Sequence, residues 1–160
     1  MNRRHLLAAL AAVTAWQSFR ARAQTGPQPE LPKEKLVIVT HDGQRHEFNV
    51  EMALTEEQQV TGLMFRPSVP ADGGMLFDWG VDRDTLMWMK NTISSLDMLF
   101  ITADGTIHAI AENTVPRSLA TISSNGQVRA ALELAAGTAA RLDIRVGDKV
   151  EQRIFGNAPK

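Results

Sequence analysis

The pattern of hydrophobic and polar positions separates an apolar N-terminal run from a longer region of short, β-like stretches that begins near Lys35. Leu36-Val37-Ile38-Val39 is apolar and mostly β-branched. Later stretches alternate between apolar and polar side chains, which is the period of a half-buried strand. Asp42-Gly43 and Asp104-Gly105 are predicted hairpin turns. We predict strands over residues 36–40, 45–50, 74–77, 84–90, 97–102, 106–111, 127–134 and 150–155.

Two short helical segments interrupt this pattern. Thr55 and Gln58 fit a capping box, and Pro67 is expected to end the helix that follows. Thr138 is predicted to cap a short helical turn, while residues 113–126 are predicted to form a loop. The sequence therefore predicts a mainly β, single-domain β-sandwich or barrel-like fold with one short α-helix and a small helical turn.

The apolar N-terminal run has the layout of a cleavable export signal. Arg3 and Arg4 supply a positive start, the following run is mostly Leu and Ala, and Ala21-Arg22-Ala23 places small residues around one position. The run is shorter than the roughly 20 residues that span a bilayer. We predict a signal peptide over residues 1–23, a flexible tether over 24–34, a single domain over 35–157, and a periplasmic or secreted location.

The route of export has two interpretations. Arg3-Arg4 followed closely by Leu6-Leu7 resembles a twin-arginine pattern, and Arg20 and Arg22 lie just before the predicted cleavage site. The general secretory route is the alternative. A twin-arginine signal would imply a domain that folds before export.

Composition excludes several classes of function. The sequence has no Cys, which removes disulfides, thiol catalysis and thiolate metal sites. Without residues 1–23, 13 Lys and Arg oppose 18 Asp and Glu, so the net charge becomes −5 and nucleic acid is not an expected partner. No second long apolar segment predicts a membrane span after cleavage, and the absence of a phosphate loop, a dinucleotide fingerprint or a nucleophile elbow predicts no cofactor. The sequence does not define the oligomeric state.

Several segments rich in large side chains resemble the domain of unknown function 192 family over about residues 36–155. They are, in order, Gly62-Leu63-Met64-Phe65-Arg66, Gly74-Met75-Leu76-Phe77, Met87-Trp88-Met89-Lys90-Asn91-Thr92, Leu96-Asp97-Met98-Leu99-Phe100-Ile101, Leu132-Glu133 and Gly147-Asp148-Lys149-Val150. The resemblance implies a bacterial protein with one mainly β, sandwich-like domain, and it implies no reaction. Family members usually have proline before Leu-Asp, where this chain has Ser95, so we expect a less rigid start to that strand.

Polar residues inside these motifs are the candidates for a ligand site. In a strand, Trp88, Lys90 and Thr92 would share one face. We predict a small groove for a polar or sugar-like ligand, formed by Arg66, Trp88, Lys90, Asn91, Asp97 and Glu133. The structural alternative is that Lys90 pairs with Asp97 or Glu133 while Trp88 fills the core, or that Glu133 lies on a solvated strand face.

Three functions follow from these candidates. We prefer a non-catalytic periplasmic binding or accessory domain, because no catalytic constellation is complete. The first alternative is a small hydrolase that uses Asp97 or Glu133 with Lys90. The second is copper handling through thioethers, although methionine also fills cores and His41, His46 and His108 have no metal-site spacing. The methionines concerned are Met52, Met64, Met75, Met87, Met89 and Met98.

Overall fold

The computed structural model describes residues 25–158, and most of them belong to one curled β-sheet. Its strands are β1 (Lys33–Val39), β2 (Arg45–Ala53), β3 (Gly73–Met87), β4 (Leu96–Ile101), β5 (Ile107–Ala111), β6 (Ile122–Ala135) and β7 (Lys149–Glu151). Two short helices, α1 (Glu56–Thr61) and α2 (Thr138–Arg141), and the 3-10 helix Arg153–Phe155 complete it. The predicted mainly β, barrel-like class is confirmed. The predicted signal peptide over residues 1–23 lies outside the described residues.

The seven strands form one sheet in the order β5-β4-β6-β3-β2-β1-β7. Strands β2 and β3 are parallel, and all other neighbouring pairs are antiparallel. Parallel neighbours need a crossover connection, which here contains α1. The two edge strands meet where Thr106 and Lys149 form an isolated bridge, so the sheet curls almost into a closed barrel.

Strand alternation produces two hydrophobic cores on opposite faces of the sheet. The inner core takes side chains from all seven strands, which places it inside the curl, and Ala139 and Ile144 cover one end of it. The outer core lies on the other face of β3, β4 and β6 and includes Met75, Phe77 and Met98. Strand β4 is buried on both faces, which explains why its sequence is an unbroken apolar run apart from one acid.

Strand β3 is one strand of 15 residues where the sequence predicted two. Its register with β6 shifts between Asp78 and Arg83, and Gly80 adopts a φ of 73° within this bulge. The bulge residues are mostly exposed and interrupt the alternation of apolar and polar positions, so their sequence pattern is typical of a loop. The strand also ends at Met87, so the expectation that Trp88 and Lys90 lie in a strand is wrong.

Strand β6 begins at Ile122, inside the region predicted as a loop. Its Ser-Ser-Asn-Gly stretch is typical of turns, but it pairs with the bulged half of β3, where Leu86 lies opposite Ser123.

The helix predictions are confirmed in part. Thr55 and Gln58 form the predicted capping box around the start of α1. The helix ends at Gly62 rather than at Pro67, because the Gly62 N–H closes onto the Gln58 carbonyl with a φ of 48° that favours glycine. Thr138 does not cap α2: Gly137 precedes the helix with a φ of 79°, and Thr138 is buried.

Part of the predicted tether is bound to the domain. Strand β1 already begins at Lys33, and the Gln28 side chain donates to the carbonyls of Gln58 and Gly62 at 3.1 and 2.9 Å. The Gln58 carbonyl also accepts from the Gly62 N–H, so the Gln28 side chain adds a further bond there and ties residue 28 to the end of α1. A Pro-rich composition predicts extended backbone correctly, but it carries no information about the hydrogen bonds that fix that backbone.

The start of β4 is held by hydrogen bonds of Ser95, the position at which the resemblance led us to expect proline. The Ser95 hydroxyl donates to the Thr114 carbonyl at 2.7 Å, and the Ser95 carbonyl accepts from the Ala136 N–H at 3.3 Å. These bonds supply local restraint that the sequence-based expectation did not include.

Candidate functional site

A groove of about 610 Å³ lies between α1 and the second half of β3. Gln59, Val60 and Gly62 belong to the α1 wall, and Trp79 and Arg83 belong to the β3 wall. The buried lining residues, including Thr85 and Glu133, form its floor. The volume falls within the roughly 300–1,000 Å³ of small-molecule sites.

Glu133 is a buried carboxyl group on the floor of this groove. It lies in β6 directly between Met75 of β3 and Met98 of β4, and it is 5% exposed. Burial raises the pKa of Glu133 to about 8, because a low-dielectric surrounding disfavours the charged form. At neutral pH the group is therefore mainly a neutral acid with one O–H to donate. Within residues 25–158 its carboxyl group has no hydrogen-bond partner.

Gly74 allows β3 to lie this close to Glu133. A Cβ atom at Gly74 would be 2.4 Å from the Glu133 carbonyl oxygen, which is far inside van der Waals contact. Position 74 of this chain therefore requires glycine for a steric reason.

Thr85 supplies a second buried polar group without a partner. Its N–H donates to the Ser124 hydroxyl at 2.9 Å, but its own hydroxyl has no hydrogen bond among the described residues, and the residue is 3% exposed. An unsatisfied buried hydroxyl costs about 1–3 kcal/mol. Thr85 and Glu133 both line the groove, so a ligand there could satisfy both.

Two tryptophans lie along the mouth of the groove, each with a cation over its ring. The Arg83 guanidinium is 5.0 Å from the Trp79 ring centroid, and the Lys90 ammonium is 4.9 Å from that of Trp88. Both distances are within the range of cation–π contacts. Trp88 is 46% exposed, and the exposed side chains of Val60 and Leu86 extend this apolar surface. Clusters of this kind mark binding surfaces more often than isolated exposed residues do.

The groove contains only part of the predicted site. Trp88 and Glu133 line it, and Lys90 lies against Trp88. Asn91 contributes to the neighbouring turn through its backbone. Its φ is 58°, and its carbonyl accepts a hydrogen bond from the Phe65 N–H at 2.9 Å.

Arg66 lines a separate pocket with Glu51. Its guanidinium bonds the Glu51 carboxylate at 3.1 Å and the Gln28 carbonyl at 3.3 Å, and the side chains of Arg66 and Glu51 are 16% and 8% exposed. The pair ties the segment before β1 to the domain. Arg66 therefore has a structural partner that the sequence analysis did not identify.

Asp97 lies on the opposite face of the sheet from Glu133. It is fully buried opposite Leu134, and its two carboxyl oxygens accept the Asn113 and Ala139 N–H groups, each at 2.9 Å. Within the described part of the chain, Lys90 forms no ion pair with either acid. The predicted Lys90 pair and the pocket shared by Asp97 and Glu133 are therefore not formed, and Glu133 is not on a solvated face.

The comparisons with known proteins identify the family. The model of the DUF192 family, described as an uncharacterized ACR, matches residues 37–152. The chain belongs to the DUF192 family. No protein among curated sequences matches the chain.

Two crystal structures resemble this DUF192 protein. One, from Sinorhizobium meliloti 1021, is provisionally described as a transcription regulator; it has 46% sequence identity and a TM-score of 0.77 and covers 79% of this chain and 98% of its own. The other, from Novosphingobium aromaticivorans DSM 12444, is described as a protein of unknown function; it has 36% identity and a TM-score of 0.74 and covers 79% of this chain and 91% of its own.

The DUF192 match includes α1, β3 and Glu133, and hence both walls and the floor of the groove. The sequence analysis missed Trp79, Arg83 and Thr85, because it placed the first two between strands and treated Thr85 as a strand residue without a role. The bulge that brings Trp79 and Arg83 to the groove depends on the register between β3 and β6, so no local sequence signal could have identified these residues.

Metal ligands are not gathered in the described part of this DUF192 protein. Among residues 25–158, no three His, Asp or Glu side chains form a group that could hold a metal ion. Met52, Met75, Met89 and Met98 are each at most 2% exposed and pack within the two cores, as core-filling methionines do. In the same residues, neither helix has the length and apolarity required to cross a bilayer.

Proposed function

We propose that this DUF192 protein is an exported, non-catalytic binding domain whose groove takes a small sugar-like ligand. The observation that carries the proposal is the combination of two buried residues, Glu133 and Thr85, whose side chains form no hydrogen bond among residues 25–158, with two tryptophans along the same groove.

Sugar rings fit the chemistry of both parts of the groove. Their C–H faces are apolar and can pack on indole rings such as those of Trp79 and Trp88, which join a large apolar body to a polar edge. Their hydroxyl and ring oxygens can accept from the neutral Glu133 acid and exchange hydrogen bonds with the Thr85 hydroxyl. A ligand would thereby remove the desolvation cost of both groups.

A hydrolase that uses Glu133 is the second candidate. A carboxyl group whose pKa is raised to about 8 has the property of a general acid. Glycoside hydrolysis also needs a second, available carboxylate. Of the other lining acids, Asp78 is held by Arg129 at 2.7 and 3.2 Å, and Glu56 is exposed on α1. This favours binding without turnover.

Export is proposed from the N-terminal pattern alone. The test is to express the full chain in a bacterial host, fractionate the cells and determine the N-terminal residue of the protein. We expect a periplasmic or secreted protein that begins at Gln24. Cytoplasmic protein with an intact Arg3-Arg4 segment would overturn the export proposal and leave the groove proposal standing.

Thermal shift and calorimetry test the groove. Protein purified from the cells that make it is titrated with glucose, galactose, mannose, N-acetylglucosamine, cellobiose and maltose, and each sugar is assayed for chemical change. At least one should raise the Tm by mass action and remain intact. Conversion of the sugar would instead support the hydrolase.

Matched variants locate the binding. Trp88→Ala should abolish the shift, whereas Leu119→Ala, which truncates a more exposed apolar side chain outside the groove, should retain it. No response to any of the sugars, or an equal loss in both variants, would overturn the proposed function.

A further inference from the structure

The groove has a cationic rim although the domain as a whole is acidic. Arg83 and Lys90 are exposed cations, and among residues 25–158 neither has a carboxylate within ion-pair distance. Each instead lies over an indole ring, with its hydrogen-bond donors still available to an incoming group. Most other basic side chains of the domain are already paired, as Arg129, Arg145 and Arg153 are.

The exposed acids Asp82 and Asp84 flank Arg83, but within residues 25–158 neither forms an ion pair with it, and Asp82 interacts electrostatically with Arg129. The acids that line the groove also leave Arg83 and Lys90 unpaired. Asp78 accepts both from Arg129 and from the Gly80 N–H at 2.8 Å, so its negative charge is already compensated. Glu133 is mainly a neutral acid at pH 7. Glu56 is the remaining acid among the lining residues, and it is exposed on the wall opposite Arg83.

We propose that the ligand of this groove is a carboxylated sugar, a hexuronate, whose ring packs on the tryptophans and whose carboxylate binds at the rim beside Arg83 and Lys90. This inference depends on the proposed sugar-binding function and specifies its ligand class. The planar guanidinium of Arg83 can bond a carboxylate through two parallel N–H groups, and Lys90 adds a second positive charge. Thr85 and Glu133 then bond the ring hydroxyls on the uncharged side of the ligand.

The position of charge along the groove supports this orientation. A carboxylate placed on the floor would meet the Glu133 acid in a desolvated setting, where burying a charge without a counter-ion is costly. At the rim it remains partly hydrated and faces cations. The groove therefore has a neutral, hydrogen-bonding end and a cationic end. A uronate can bind both ends, whereas a neutral hexose has no charged group for the cationic end.

Calorimetry on matched sugars tests the inference. Glucuronate, galacturonate and mannuronate are each compared with glucose, galactose and mannose, which have the same ring with a hydroxymethyl group in place of the carboxylate. We expect at least one uronate to bind tenfold or more tightly than its neutral parent at low salt. This preference should shrink when the salt concentration rises, because exposed charges are screened.

Charge variants connect the preference to the rim. Arg83→Gln should reduce the ratio between the affinities of the best uronate and its neutral parent to below threefold. Glu56→Gln should strengthen uronate binding. Arg141→Gln removes the same charge from an exposed position on α2, outside the groove, and should change nothing.

The outcomes separate the two proposals. Equal or better binding of the neutral parents, or a preference that survives Arg83→Gln, overturns the uronate inference and leaves a sugar-binding groove. Failure of all six sugars overturns the inference, and the proposed function is overturned with it if N-acetylglucosamine, cellobiose and maltose also fail to bind. A chain of uronates that binds more tightly than the single sugar identifies a polymer as the source of the ligand, and equal affinities identify the free sugar.

Discussion

Asp97 and Glu133 are two buried acids on neighbouring strands, and they have opposite roles. Asp97 in β4 points into the inner core, where its two oxygens bond the N–H groups of Asn113 and Ala139. Glu133 in β6 points to the outer face, where it lines the groove and has no partner among the described residues. Both lie between large apolar neighbours in the sequence, so local pattern does not distinguish them.

The difference lies in what satisfies each carboxyl group. Asp97 links the loop after β5 and the start of α2 to the sheet, so its role is complete within the protein. Glu133 is buried at an energetic cost that nothing in residues 25–158 offsets. A buried acid that is left unsatisfied next to a cavity is a candidate for function, whereas a satisfied one is a candidate for architecture.

The first prediction concerns the loss of stability expected when Asp97 is substituted. Asp97→Ala leaves the buried Ala139 N–H and the partly exposed Asn113 N–H without acceptors. An unsatisfied buried group costs about 1–3 kcal/mol, so we expect the free energy of unfolding to fall by at least about 1–3 kcal/mol. Urea denaturation at pH 7 measures it. Asp97→Asn, which keeps one acceptor oxygen, should lose less.

Asp143→Asn is the control for removal of an acid, because Asp143 is 59% exposed in a surface ion pair with Arg145. It should change stability by less than about 1 kcal/mol. A similarly small loss in Asp97→Ala would show that its two hydrogen bonds do not stabilise the fold.

A pH-dependent effect, which is smallest near pH 4 and reaches a size comparable to that of Asp97→Ala at high pH, is expected at Glu133. Its pKa is raised by burial from 4.5 to about 8, so the folded state holds a proton that the unfolded state has lost between these pH values. Stability of the wild type should therefore fall, relative to Glu133→Gln, by roughly 1.4 kcal/mol per pH unit from about pH 4.5 to 8 and then level off. Below pH 4.5 the two proteins should be closest.

Denaturation of the two proteins at pH 4, 6 and 8 measures this difference, in which the other titrating groups cancel. Glu112→Gln, an exposed acid outside the groove, should follow the wild type at every pH. A constant difference between wild type and Glu133→Gln would mean that Glu133 is charged in the folded protein and has found a partner.

The smallest stability effect is expected at Thr85, which shares the groove floor with Glu133. Thr85→Val replaces an unpaired buried hydroxyl by a methyl group of similar size, so stability should be unchanged or rise by up to about 1 kcal/mol. Calorimetric melting measures this, and sugar titration should show weaker binding. A loss above about 1 kcal/mol would show that the hydroxyl is already satisfied in the free protein.

The sequence was sufficient for the elements whose signals are local. The Asp42-Gly43 and Asp104-Gly105 turns and the Thr55 capping box depend on residues a few positions apart, and all three are confirmed. The class of fold followed from the same signals together with strand alternation.

The site could not be predicted in full, because it depends on long-range register. The bulge at Gly80 joins two predicted strands into β3 and brings Trp79 and Arg83 to the groove, and no neighbouring residue signals that. Likewise, the partners of Asp97 are 16 and 42 residues away, so sequence distance hid its structural role. Trp88 and Glu133 were found because large or charged residues in apolar motifs stand out without knowledge of register.

The meeting of β5 and β7 affects how the protein behaves at high concentration. A sheet normally ends in strands whose free N–H and C=O groups can recruit another chain and start aggregation. Here the edge strands have five and three residues, and the bridge between Thr106 and Lys149 joins them to each other. The Lys149 ammonium also bonds Asp104 at 2.9 Å, so a charge pair covers the junction. The sheet thereby protects itself against edge-to-edge association without an additional domain or a disulfide.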